Sequence, residues 1–186
     1  MKRALSGELP LLPAIKKLMD EVMQPPSFDS GFDAGELLSR EAEALASAKK
    51  IALFAAGVAS QRFMAALQEQ QEVMADLAAI IMQVYALESA LLRARKIAEQ
   101  GTGNRDQGSE SSAAQVAASM TGLLADETMA LAEQAARRVL AACGEGDLLR
   151  TQLAILRRLA RFTPADVVGL SRAVARHCIQ AERYPL

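Results

Sequence analysis

The sequence predicts an all-α fold, an antiparallel bundle of four to five main helices preceded by a short amphipathic one. Three observations carry this. Ala is 37 of the 186 residues, and Ala combines the best helix propensity with a side chain small enough to let helix axes approach closely. Aromatic residues make up 4% with no Trp, and β-branched residues are sparse, which leaves little to build strands from. Apolar residues recur at spacings of three and four over most of the chain, the period of a helix with one buried face. Half of the chain (51%) is hydrophobic, enough for a packed core and too much for an intrinsically disordered one.

The elements follow in order. Leu11 to Met23 reads as a short helix, with Leu12, Ile15, Leu18, Met19 and Val22 on one side, charges on the other, and Pro13 in the first turn where its missing N–H matters least. Pro25, Pro26 and Gly31 then break the chain, so residues 1–23 form an N-terminal segment, 24–33 a linker and 34–186 the bundle. Asp33-x-x-Glu36 has capping-box spacing and opens a helical pattern with a single Gly and no Pro up to Gln100. A rod over 36–100 would be about 98 Å long, too long for a compact domain, so a hairpin must fall within it. The apolar stripe lapses only at Gln68–Glu72, which places the turn within 67–72, although no turn former marks it.

The arm before the turn offers Leu38, Leu45, Ala48, Ala52, Ala55, Ala59 and Phe63 to the core. The arm after it carries Val73, Leu77, Ile80, Val84, Leu87 and Leu91 at alternating steps of four and three, a bundle seam. Arg93, Arg95 and Lys96 then precede Gly101 as C-terminal cations and a closing glycine. Residues 101–112 read as a mobile polar loop, and Ser112-x-x-Gln115 as the cap of a helix over about 113–142 that buries Val116, Met120, Leu123, Leu124, Leu131 and Val139. Cys143-Gly144-Glu145-Gly146 stops it, and Asp147 caps a helix carrying Leu149, Leu153, Leu156 and Leu159. Thr163-Pro164-Ala165-Asp166 predicts an N-cap, Pro at the first helical position and an acid in the first turn of a last helix that runs to about Ala181 and presents Val167, Leu170, Val174 and Cys178.

Charge and cysteine usage narrow the function. Net charge is −1, without the basic excess of a dedicated nucleic-acid binder. The balance is uneven: residues 1–136 hold 12 basic and 18 acidic residues, and residues 137–186 hold 9 Arg and 4 acids. Cys143 and Cys178 stand in no metal-type spacing and read as reduced thiols. No unbroken apolar run reaches about 18 residues, so no membrane span is expected. The first ten residues lack the apolar region of a signal peptide.

No catalytic constellation emerges. The one histidine, His177, adjoins Cys178, but neighbouring helical residues point about 100° apart and cannot form a Cys-His pair. One His also cannot supply the paired Glu-x-x-His of a di-iron bundle. Gly-rich phosphate loops, nucleophile elbows and Cys-x-x-Cys are all missing, and Glu88 reads as a polar boundary residue. The residual signal is Arg137, Arg138, Arg150, Arg157, Arg158 and Arg161, a candidate docking set for an acidic protein surface, an anionic lipid or phosphates, set against an ordinary solvated face.

Three stretches carry a family resemblance. They are Ser39-Arg40-Glu41-Ala42-Glu43 leading to Lys49-Lys50-Ile51-Ala52-Leu53-Phe54-Ala55-Ala56-Gly57; Gln70-Gln71-Glu72-Val73-Met74 through Tyr85-Ala86-Leu87-Glu88-Ser89-Ala90-Leu91-Leu92-Arg93-Ala94; and Phe162-Thr163-Pro164-Ala165-Asp166 to Tyr184-Pro185-Leu186. Together they resemble the extra C-terminal helical domain of very-long-chain-type acyl-CoA dehydrogenases in their bacterial form. Lys2-Arg3-Ala4-x-x-Gly7-Glu8-Leu9-Pro10 is similar to the segment just after the catalytic portion in those enzymes. The likeness spans essentially the whole chain, through packing and capping residues.

The resemblance implies a parent that is an FAD-dependent oxidoreductase of fatty-acid β-oxidation, cytoplasmic in bacteria. The family's catalytic Glu lies in a Tyr-Glu-Gly-Thr type segment. Here Tyr85 precedes Ala86 and Tyr184 precedes Pro185, so no residue inherits that role, and the flavin domain is missing too. The expectation is a C-terminal fragment with no catalytic, cofactor-binding or metal residues of its own. Its partners would be the catalytic portion of the parent and a second copy in a homodimer, with an anionic membrane surface as a further candidate and no nucleic acid. A free-standing helical adaptor and a peripheral membrane module remain the alternatives.

Overall fold

The structure, a computed structural model, describes residues 13, 14, 17, 38–101 and 107–182. Its helices are α1 (Ser39–Phe63), α2 (Gln71–Gly101), α3 (Gln107–Cys143), α4 (Gly146–Leu159) and α5 (Val167–Ala181), with a 3₁₀ segment at Met64–Glu69 between α1 and α2. There is no strand among the described residues. Of the expected N-terminal helix only Pro13, Ala14 and Lys17 are described, all helical; its remainder, the 24–33 linker, the Asp33-x-x-Glu36 box and the chain end at Tyr184–Leu186 lie outside the described residues.

α1, α2 and α3 pack against one another as the body of the bundle, with α2 and α3 the most extensive pair. Lys49 meets Glu88 across α1 and α2, while Asp76 meets Arg138 and Gln83 meets Thr128 across α2 and α3. Both pairs of helices are therefore antiparallel. The expected seam of α2 is buried at Val73, Leu77, Ile80, Leu87 and Leu91, Val84 is half-buried against the same core, and Ala94 continues the line. On α1 the core takes Leu38, Leu45, Ala48, Ala55 and Ala59 as expected and adds Ile51 and Phe54, while Ala52 and Phe63 are only half-buried.

The hairpin falls where the lapse of the apolar stripe places it, with Gln70 outside any helix. Its chemistry is unusual. Met64 caps α1 at φ 47°, ψ −121°, a region that favours glycine, and its N–H donates to the Ser60 carbonyl. The 3₁₀ turn then buries Leu67, whose carbonyl accepts from the Gln70 N–H at 3.1 Å. The apolar anchor offsets the strain that the turn stores. Met64 is 72% exposed, so Met64→Gly removes little packing and should stabilise the chain by about 1 kcal/mol. A thermal melt should rise by roughly 2–4 °C; a fall would show that Met64 is not strained.

Four helix ends depart from the sequence reading, three of them at α2, α3 and α4. Gly101 is the last residue of α2 rather than its cap, and no cation lies in the last turn, because Arg93, Arg95 and Lys96 sit further back. α3 already begins at Gln107, so the expected loop is shorter and Ser112 lies inside a helix. At 37 residues α3 spans about 56 Å and is the longest helix described. α4 is capped at Glu145, with Asp147 in its first turn accepting from Arg150 instead of capping. Leu156 and Leu159 of α4 are buried, with Leu149 and Leu153 half-buried against the core.

α3 buries a different set from the one expected. Val116 and Val139 are in the core, but Met120, Leu123 and Leu124 are half-buried and Leu131 is 38% exposed. The central positions are Ala125, Ala132, Ala135 and Ala136, with Met129 and Leu140. Small side chains let α3 sit close to α1 and α2. The buried hydroxyl of Thr121 donates to the Ala117 carbonyl at 2.8 Å, and that of Ser119 to Gln115, so neither is left unpaired.

α5 begins three residues later than Pro164 suggests. Asp166 is its N-cap, accepting from the Gly169 N–H at 2.9 Å, and Thr163–Ala165 form the connection that precedes it. A Cβ on residue 169 would lie 2.3 Å from the Asp166 carboxylate, so a larger residue there would make that side chain shift from its present position. α5 packs on α3 through Leu170, Val174 and Cys178, all half-buried, and has no fully buried residue. By length and composition, Ser39–Glu69 and α2 are each apolar enough to cross a membrane, because the few charges that interrupt their apolar runs leave the mean hydropathy high. In this fold both are members of the bundle.

Candidate functional site

The candidate arginines are not gathered on one face. Arg138 on α3 clamps Asp76 of α2 with its Nε 2.9 Å from Oδ1 and 3.0 Å from Oδ2. That hydrogen bond, opposed only in part by desolvation, moves the guanidinium pKa further up. Arg137 pairs with Glu133 one turn back, Arg150 pairs with Asp147, and Arg158 has a partner as well. Arg157 is exposed on α4. Arg161 lines a cleft of about 540 Å³ with Arg40, Glu43, Lys50 and Phe162. Because α1 runs antiparallel to α2, this cleft at the start of α1 and the Arg138 clamp near the start of α2 lie at opposite ends of the bundle. Linear proximity of these arginines does not become spatial proximity.

The cleft does not fit a flavin dinucleotide. Its aromatic ring, Phe162, is covered by the Arg40 guanidinium 5.4 Å from the ring centroid, and Arg40 is already paired with Glu41 and Asp126. No Gly-rich backbone lines it to receive phosphates. Among the described residues no three His, Cys, Asp or Glu side chains come together. Glu88 is half-buried and paired with Lys49 at the α1–α2 boundary. His177 lies just before the last turn of α5, half-buried and with a partner.

The thiols are separated by environment. Cys143 is 5% exposed, and burial raises its pKa, with Arg62 offsetting only part of that. A buried thiol held protonated is a poor nucleophile. Its contribution to stability is complete below the ordinary thiol range and is lost as the pH rises through the raised value. Cys178 is half-buried. An aromatic disulfide reagent at pH 8 should therefore label one thiol quickly, Cys178, and Cys143 only on unfolding; rapid labelling of both would contradict the burial.

The surface feature that sequence reasoning missed is on α2. Between residues 75 and 92 every exposed position is uncharged, including Ile81 at 59%, Met82 at 64%, Tyr85 at 73% and Leu92 at 60% exposure. The two acids in that span stand at its edges and are paired: Asp76, with its side chain largely buried, to α3, and Glu88, with its side chain 42% exposed, to α1. The signal was present: α2 is apolar around more of its circumference than one seam requires, which a helix at a bundle's edge does not need.

The described residues thus form an all-helical bundle with an apolar outer face on α2. Comparisons with known proteins show its family. Residues 47–158 match the family described as "Acyl-CoA dehydrogenase, C-terminal domain", and the chain belongs to that family. It is 38% identical over 186 residues to a probable acyl-CoA dehydrogenase of Bacillus subtilis (strain 168), covering 99% of this chain and 29% of that protein. It is similar, at a TM-score of 0.84 and 33% identity, to an acyl-CoA dehydrogenase complexed with FAD from Bacillus anthracis, covering 98% of this chain and 29% of that one. The chain thus spans under a third of the length of the relatives it matches.

Proposed function

We propose that the chain is the non-catalytic C-terminal domain of a cytoplasmic, FAD-dependent acyl-CoA dehydrogenase, where it strengthens subunit packing or docks onto the catalytic portion. The observation that carries this is the coverage: nearly all of this chain corresponds to 29% of each relative, which leaves most of a dehydrogenase for the flavin and the acyl-CoA. Proton abstraction with hydride transfer needs a positioned base and the flavin together. FAD, when bound, supplies the hydride acceptor in the parent, and this chain's part is to hold surfaces together. Arg157 and Arg161 suit an orienting contact with an acidic surface, since guanidinium pairs carboxylates in a bidentate fashion.

The reading frame, the colour of the isolated chain and its binding to the catalytic portion test the proposal. The reading frame upstream of Met1 should continue open and encode a Tyr-Glu-Gly-Thr type segment. Purified alone, the chain should be colourless, and it should bind a separately expressed catalytic portion with an affinity that falls as salt rises. Reversing Arg157 and Arg161 to Glu should weaken that binding and leave the fold intact, because exposed charges add little to stability. A yellow preparation with stoichiometric flavin would overturn the non-catalytic reading, and a stop codon directly upstream would favour a free-standing adaptor.

A further inference from the structure

We infer that the exposed face of α2 is the surface on which the catalytic portion of the parent packs; this rests on the domain reading above. The face is continuous. From Ala75 to Leu92 it runs about 26 Å along the helix axis, and the one charged side chain that reaches solvent there, Glu88, stands at its border paired with Lys49, whereas apolar residues on a free surface are ordinarily scattered singly. Its borders are two cross-helix ion pairs, Lys49–Glu88 towards α1 and Arg138–Asp76 towards α3. An apolar centre with charges held at the rim is the anatomy of a permanent interface. Leu131 is at the same level, because the Asp76–Arg138 and Gln83–Thr128 contacts set residues 128–138 of α3 beside 76–83 of α2.

The occupant follows from size and charge. A stripe of about 26 Å by 10 Å offers about 260 Å², well short of the roughly 800 Å² per partner of a standard interface, so two copies meeting stripe to stripe would not hold. A larger body can continue the contact past the helix onto its neighbours. In the relatives, 71% of the chain (100 − 29) lies outside the matched region and is covalently joined to it, which supplies such a body at high effective concentration. A bilayer surface is the poorer fit, since each border holds one cation and one carboxylate where anionic lipid would call for a cationic excess.

The test places a photo-crosslinker at the centre of the face, Tyr85→p-benzoylphenylalanine, in the full polypeptide expressed from the extended reading frame. Irradiation and peptide mass spectrometry should find Tyr85 joined to residues upstream of Met1, in the same or the partner subunit. Adding Leu92→Glu, two turns along the face, should abolish that crosslink while the far-ultraviolet circular dichroism stays unchanged. Crosslinks to α2 of a second copy, to lipid, or to none of these would overturn the assignment of this face and leave the domain reading standing. A frame closed directly upstream would overturn both.

Discussion

Leu87→Asp should abolish the cooperative unfolding transition, and Val84→Asp, three residues away on the same seam, should not. Leu87 is fully buried, at 0% exposure, in the shared core of the bundle. A carboxylate there loses the leucine's packing, about 3 kcal/mol, and leaves an uncompensated buried charge for about 3–5 kcal/mol more. The sum consumes most of the roughly 5–15 kcal/mol that a typical domain has. Val84 is only half-buried against that core, so its carboxylate can turn to water and the loss should be closer to 2 kcal/mol. Urea titration followed by circular dichroism distinguishes the two. Equal losses would mean that the seam does not face the core in the order described.

The same seam shows why much of the fold was legible. Val73 to Leu91 alternate at four and three, and that period has one structural meaning; the need for a hairpin followed from length, since a rod over 36–100 cannot fit, and its place from the polar run Gln68–Glu72. What was hidden has physical causes. Met64 at positive φ carries no turn signature, because the strain is offset by Leu67, a contact that forms only in the folded chain. The core face of α3 is made of Ala125, Ala132, Ala135 and Ala136, and in a chain with 37 alanines an alanine does not announce a face. The larger Leu131, read as core, stands about 100° around the helix from the buried Ala132 and so lies off that face. Pro164 drew the start of α5 forward, whereas the carboxylate of Asp166 reaches Gly169 and sets it. For the candidate site the arginines were conspicuous as a run in sequence, but Arg138 is used to clamp α2, and the uncharged face of α2 gave no motif to notice.

Asp126→Ala should release α5 from a bundle that otherwise stays folded. Asp126 sits mid-way along α3 with its side chain 13% exposed. Its carboxylate accepts from the Ala165 N–H, 3.0 Å from Oδ1 and 3.3 Å from Oδ2, and from Arg40 at 3.4 Å. Arg40 in turn stacks on Phe162 and pairs with Glu41. One carboxylate thereby ties the start of α1 and the α4–α5 connection to α3. α5 depends on this tie because it has no fully buried residue of its own. Removing a charged acceptor leaves the Ala165 N–H without its partner and Arg40 with Glu41 alone, for a loss of about 2–3 kcal/mol. Asp126→Asn keeps one acceptor oxygen and should recover part of it. The loss should be local: amide exchange over Val167–Ala181 should accelerate by about 30-fold or more at that free energy, while α1–α3 keep their protection. Exchange in α5 that stays at the wild-type rate would show that contacts along α3, not the Asp126 carboxylate, hold the last helix in place.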